Sequence, residues 1–164
     1  MNTLPIRENM KKIKLKEGDI LSFEIAPQLF GFAKVLAKVK LGDAIEVYDY
    51  FGTCQNDYKK ALISLPLFEQ PIILDGYSIF WKRVVKNWDV VGRDENFRFN
   101  EMDRAKVKFK YGVPGLFKLI DLNGVSYPNV SQEEAVKYPD YSPYNNQAVL
   151  RRINFLLDKR KIKN

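Results

Sequence analysis

The sequence predicts an α+β, β-rich fold: a twisted antiparallel sheet or a partly open SH3-like barrel, with a C-terminal amphipathic helix. Three observations predict it. Apolar residues alternate with a period near two from Ile13 and Leu15 through Ile25, which gives that segment one buried face, and residues 30–39 and 44–51 read as two further strands. The chain is rich in residues that favour strands, with 11 Phe, 9 Tyr and 2 Trp. One long segment, residues 145–161, has helical spacing: Val149, Ile153, Leu156 and Leu157 fall on one stripe, with Arg and Lys opposite.

The elements follow in order. Gly18 introduces the first strand, Asp19 to Ile25, and Pro27 closes it. Phe30 to Val39 is the second strand, with Gly31 marking a bulge or a close backbone approach. A turn at Leu41-Gly42-Asp43 leads into the third strand, Ala44 to Phe51, which completes an antiparallel meander. Gly52 to Lys60 is a polar loop, and Ala61 to Phe68 is a helical turn or a short strand. Pro71 to Leu74 and Tyr77 to Val85 read as paired strands about an Asp75-Gly76 turn. Trp88 to Val91 is a further strand. Val107 to Tyr111 and Leu116 to Leu122 form a hairpin with Pro114-Gly115 near its turn, and Asn123-Gly124 is a second turn. Ser131 and Glu134 have capping-box spacing, so a short helix starts there. Tyr138 to Tyr144 is a loop before the long helix.

Composition narrows the chemistry. The 164 residues fit one domain, and a chain of this length buries enough apolar surface to fold without staples. Cys54 is the lone cysteine, so no intrachain disulfide forms, which suits a reducing cytoplasm. No stretch has signal-peptide or membrane-spanning character, so a cytoplasmic protein is expected. There is no histidine. That removes the commonest general base and excludes Ser-His-Asp and Cys-His nucleophile systems and ordinary Cys/His zinc sites. No catalytic residue, metal or cofactor is expected.

The net charge of +7 is unevenly spread. Residues 1–16 carry five cations and one anion, and residues 151–164 carry six and one, which leaves residues 17–150 at −2. Basic ends of this kind read as solubilising tails or a solvated helix face, so nucleic acid is not the expected partner. Asp94, Glu95, Glu101 and Asp103 lie among Arg93, Arg98 and Arg104 and read as a salt-bridged loop. Cys54 has no histidine to activate it and reads as a passive thiol. Lys106, Lys108 and Lys110 alternate with Val107 and Phe109, the pattern of a solvent-facing strand or of a single-strand nucleic-acid surface.

The strongest ordered pattern is Gly18-Asp19-Ile20, then Phe30-Gly31-Phe32-Ala33-Lys34, then Asp49-Tyr50-Phe51, then Pro71 to Gly76, and then Trp88-Asp89-Val90-Val91-Gly92. It resembles the immunity protein 26 family of bacterial polymorphic toxin systems over roughly residues 12–95, with Ala33 where the family often has a second glycine. The resemblance implies a non-catalytic protein that binds and neutralises a cognate toxin domain. It divides the single domain 1–164 into a basic N-terminus, 1–12, read as flexible; a family-like β core, 13–95; and a hairpin-plus-helix extension, 96–164. Toxin binding needs aromatic anchors with charge at the rim. The candidate contacts are Phe30, Phe32, Asp49, Tyr50, Trp81 and Trp88, each of which has core packing as its alternative. A mimic of nucleic acid that plugs a basic nuclease would be strongly acidic, so an acidic toxin surface is the better fit. The second functional expectation is a small SH3-like barrel that binds or cleaves RNA, since Gly-Asp-Ile entering a strand also looks like the opening of MazF/PemK-type endoribonuclease toxins.

Overall fold

The computed structural model describes residues 11–163. Three long strands, β1 (Asp19–Ala26), β2 (Leu29–Val39) and β3 (Gly42–Gly52), form the expected meander. A 3₁₀ turn (Gln55–Asp57) runs into the one-turn α1 (Tyr58–Ala61). Then come β4 (Ile72–Leu74), a π-helical turn (Tyr77–Trp81), β5 (Trp88–Arg93) and α2 (Glu101–Lys106). The chain finishes with β6 (Lys108–Tyr111), β7 (Lys118–Asp121), β8 (Ser126–Tyr127), α3 (Gln132–Ala135), β9 (Pro143–Tyr144) and α4 (Asn146–Lys163).

The strands make a six-stranded sheet, ordered β5-β1-β2-β3-β4-β9, and a three-stranded sheet, β6-β7-β8. The larger sheet is mixed rather than wholly antiparallel, because β9 pairs parallel to β4. It is open, with β5 and β9 at its edges, so the SH3-like barrel does not form.

Alternation along the strands decides what covers each face. Leu21 and Phe23 of β1, Ala33 and Val35 of β2, and Ile45 and Val47 of β3 point to one face. There they pack against Ile79 and Phe80 of the π-helical turn and against α4, which buries Val149 and Ile153 and half-buries Leu156 and Leu157. The other face has two apolar clusters. Phe32 and Tyr48 pack against Ala61 of α1 at one end. Leu36, Ala37, Ala44 and Ile73 meet Phe109 and Leu122 of the hairpin at the other, so the 96–164 extension shares the core of the meander. Gly31 is both a bulge and a close approach: pairing with β3 shifts between Gly31 and Ala33, and a Cβ there would lie 2.6 Å from the Phe23 ring.

The expected Tyr77–Val85 strand does not form. The Asp75 carboxylate accepts from the Ser78 N–H at 3.1 Å, and the Lys82 N–H donates to the Tyr77 carbonyl at 2.8 Å, which winds the segment into a π turn. Neither side of β4 is open to a hairpin partner, since β3 and β9 flank it. Ala61 to Phe68 ends α1 and continues as a turn laid along β3, with a bridge from Tyr48 to Pro66, the Asp49 N–H donating to the Leu65 carbonyl at 2.8 Å and the Leu67 N–H to the Val47 carbonyl at 2.7 Å.

Candidate partner-binding face

The six sequence-selected residues do not converge. Phe32 is fully buried and Trp88 is 4% exposed. Trp88 stacks on Phe23 at 4.5 Å and donates its indole N–H to Asn146 Oδ1 at 2.6 Å, tying the edge strand β5 to the start of α4. Phe30 and Tyr50 are half-buried beside Phe32, with Tyr58, Leu62 and Val91 around them. Asp49 lies on the opposite face of β3 from Tyr50, because successive residues of a strand point to opposite sides. Its carboxylate takes a two-pronged ion pair from Arg160 of α4, at 2.8 Å on each oxygen. Only Trp81, at 39%, has a large exposed surface.

Trp81 belongs to a built surface. Ile79 and Phe80 anchor the π turn in the core, with Phe80 edge-on to Trp88. Tyr77 and Trp81, four residues apart, then project together on the outer side, with ring centroids 5.8 Å apart. Val84, 67% exposed, follows on a segment pinned by its N–H to the Ser78 carbonyl at 3.1 Å. The backbone here is strained: Arg83 (φ 52°) and Asn87 (φ 66°) both occupy the left-handed region, a state that surrounding contacts must hold and that clusters at functional sites. A π turn in a short helix carries the same association.

The basic N-terminal stretch is docked on this turn. The Ile13 N–H donates to the Phe80 carbonyl and the Arg83 Nε–H to the Lys11 carbonyl, each at 3.2 Å. Lys12 Nζ sits 5.4 Å from the Trp81 ring centroid, and Lys82 Nζ 5.1 Å from that of Tyr77. Residues 11 and 12 of the expected flexible N-terminus are therefore held in place, and residues 1–10 lie outside the described residues. Beside the turn, Val84, Val85 and Lys86 face Asn145, Asn146 and Gln147 across a depression of about 410 Å³.

Elsewhere, titratable groups serve the fold. Lys34 opposes Glu46 across the β2–β3 pair, lies 3.6 Å from Asp94 and sits over the Phe97 ring at 4.3 Å. Burial pushes the Glu46 carboxyl up despite Lys34. Burial, with Glu46 and Asp94 nearby, also raises the Tyr48 phenol, whose hydroxyl has no hydrogen-bond partner among the described residues. Asp43 is buried against Gly76, and burial raises its pKa against the opposing pull of Lys38 at 3.2 Å. Of the acidic loop, Asp94 pairs with Lys34 and Asp103 with Lys106, whereas Arg93 and Arg104 pair with Asp19 and Glu17 outside it and Arg98 donates to the Glu95 and Phe97 carbonyls. Among the described residues no group of three His, Cys, Asp or Glu side chains is placed to hold a metal ion. Cys54 is exposed and accepts from the Asn56 N–H at 3.4 Å.

Sequence reasoning missed Tyr77, Val84 and the docked lysines. The signal available for Tyr77 was Asp75-x-x-Ser78, the spacing of a side-chain cap, which marks a helical start rather than a hairpin turn. No match to this chain is found among protein-family models, curated proteins or solved structures. Among the described residues no helix is long and apolar enough to cross a membrane.

Proposed function

We propose that this chain is a non-catalytic immunity protein that neutralises a bacterial toxin domain by binding it, in the cytoplasm of the cell that carries both. The observation that carries the proposal is the Tyr77–Trp81 pair: two large aromatic side chains held exposed, side by side, on a π turn whose Ile79 and Phe80 are locked in the core. Aromatic anchors on a rigid support lose little conformational freedom on binding, which is why Trp and Tyr dominate interface hot spots.

The resemblance to immunity protein 26 supports the same reading. Its quoted segments fall mainly on the sheet: Gly-Asp-Ile opens β1, Phe-Gly-Phe lies in β2, Asp-Tyr-Phe ends β3, and Trp88 to Gly92 lies in β5 beside β1. The test is protection. Cells expressing the toxin encoded beside this gene are co-transformed with wild type or Trp81→Ala, and complex formation is measured with purified proteins. Wild type is expected to rescue growth and bind, and Trp81→Ala to lose at least about 2 kcal/mol of affinity, roughly thirtyfold. Failure of wild type to protect against any neighbouring toxin defeats the proposal.

A further inference from the structure

Resting on that reading, we infer that the surface around Tyr77 and Trp81 is a docking site for a carboxylate-rich protein surface, and that Lys12 and Lys82 are its charged contacts. Six cations lie on the two segments that meet here, Lys11, Lys12 and Lys14, and Lys82, Arg83 and Lys86, and of these Lys12 sits 5.4 Å from the Trp81 ring centroid and Lys82 5.1 Å from that of Tyr77. The docking of residues 11–13 on the π turn unites them. Among the described residues none of the six has a carboxylate within ion-pair distance. Of the nearby acids, Asp75 is engaged in capping Ser78, and Glu24 lines a neighbouring groove with Lys86. Lys34, Lys38, Arg93, Arg104, Lys110 and Arg160 are each paired with a carboxylate of the chain itself, while other cations such as Lys40, Lys118 and Lys159 also lack one among the described residues, so what distinguishes this face is the placement of its ammonium groups over two exposed rings.

Uncompensated charge of one sign around an apolar centre is the complement of an acidic rim around an apolar pocket. The aromatic geometry separates protein from nucleic acid. Bases stack on the faces of exposed rings. Here the Tyr77 and Trp81 faces are occupied, by each other at 5.8 Å and by the Lys82 and Lys12 ammonium groups. An ammonium group thus stands over each ring where a base would stack, and ammonium groups suit carboxylates.

The experiment uses three probes: the neighbouring toxin domain, poly-L-glutamate and an oligouridylate of matched charge. Binding is measured for wild type, the double variant Lys12→Glu/Lys82→Glu and Trp81→Ala, at about 50 and 300 mM salt, where the screening length falls from roughly 14 to 6 Å. Thermal unfolding confirms that each variant is folded. Toxin association is expected to slow about tenfold or more between the two salts, and the charge-reversed variant to bind at least about a hundredfold more weakly. Polyglutamate should compete and oligouridylate should not. If Trp81→Ala abolishes toxin binding while salt and charge reversal change nothing, the inference is overturned and the immunity reading stands. If oligouridylate competes as well as polyglutamate, the protein-carboxylate assignment is overturned. If wild type binds no toxin but still binds polyglutamate through Lys12 and Lys82, the immunity reading fails and the carboxylate assignment survives.

Discussion

Replacing Trp88 by Phe should damage stability and leave partner affinity unchanged, the reverse of what Trp81→Ala does. The structure supplies the magnitude. Trp88 is 4% exposed, stacked on Phe23 at 4.5 Å and edge-on to Phe80 at 6.3 Å. Phenylalanine can keep the stack on Phe23 but lacks the indole N–H that meets Asn146 at 2.6 Å, and it leaves part of the indole volume empty. The lost hydrogen bond costs about 1 kcal/mol, and the cavity adds about 2 kcal/mol. A total near 3 kcal/mol lowers the melting temperature by about 6–12 °C in a chain of this size. A domain with ordinary stability, about 5–15 kcal/mol, survives it. The chain has two tryptophans, so Trp81 emission reports unfolding in the Trp88→Phe protein, and Trp88 emission does so in Trp81→Ala. A double-mutant cycle with Asn146→Ala should return a coupling near 1 kcal/mol, because the two groups form one hydrogen bond. A Trp88→Phe protein with unaltered stability and abolished toxin binding refutes this division of labour.

Three further outcomes follow from packing and charge. Gly31→Ala should cost about 1–3 kcal/mol in urea titrations, because its Cβ would lie 2.6 Å from the ring of the fully buried Phe23. Arg160→Ala should cost at most about 1 kcal/mol despite its two 2.8 Å bonds to Asp49, since the Arg160 side chain is half exposed and the pair is screened. Asp43→Asn should gain stability relative to wild type at neutral pH. Burial raises the folded-state pKa above the ordinary 3.8, so the wild-type contribution is fully present below that value and is lost as pH rises through the folded pKa. The gap between the variants should narrow as pH is lowered from 7 toward 4. A wild type that loses ground to the Asn variant on acidification contradicts the assignment.

The meander was legible from its apolar runs between Gly18, Pro27 and Leu41-Gly42-Asp43, although both of its faces are covered and not one as the alternation suggested, and the hairpin because Pro114-Gly115 breaks two strand-like runs. Ser131 caps α3 through its hydroxyl, at 3.1 Å from the Glu134 N–H, as its spacing with Glu134 required. The π turn was hidden for a physical reason. Tyr77, Ile79 and Trp81 alternate with Ser78 and Phe80 as strand residues do, and Asp75-Gly76 is a common hairpin turn, so local propensity pointed the wrong way. The two-residue β9 carries no periodicity of its own, and its parallel pairing depends on where the long helix begins. The candidate face fell with the π turn: Trp81 was singled out, but as a strand residue it had no reason to meet Tyr77. The separation of Asp49 from Tyr50 was readable from alternation alone.

The positive charge at the two ends of the sequence does different physical work. On α4 several cations turn back onto the protein. Arg160 grips Asp49, Arg152 donates to the Tyr144 hydroxyl at 2.9 Å and lies over the Phe68 ring, and Lys161 pairs with Asp158 at 3.6 Å. These groups help fix the helix to the sheet or balance its last turn, where cations also suit the helix dipole. Lys11 and Lys12 are instead held beside Lys82 and Arg83 by the Ile13 N–H on the Phe80 carbonyl and the Arg83 side chain on the Lys11 carbonyl, with no carboxylate of the described chain to neutralise them. A field left uncompensated in the folded protein is one that an incoming surface can use, whereas a field already paired is largely spent. Reversing Lys159 and Lys163 on the exposed side of α4 should therefore leave toxin association within about twofold of wild type. The same change of four charge units at Lys12 and Lys82 should remove it. Equal losses from both pairs would mean that net charge alone attracts the partner, and the Tyr77–Trp81 face would lose its claim to direct the contact.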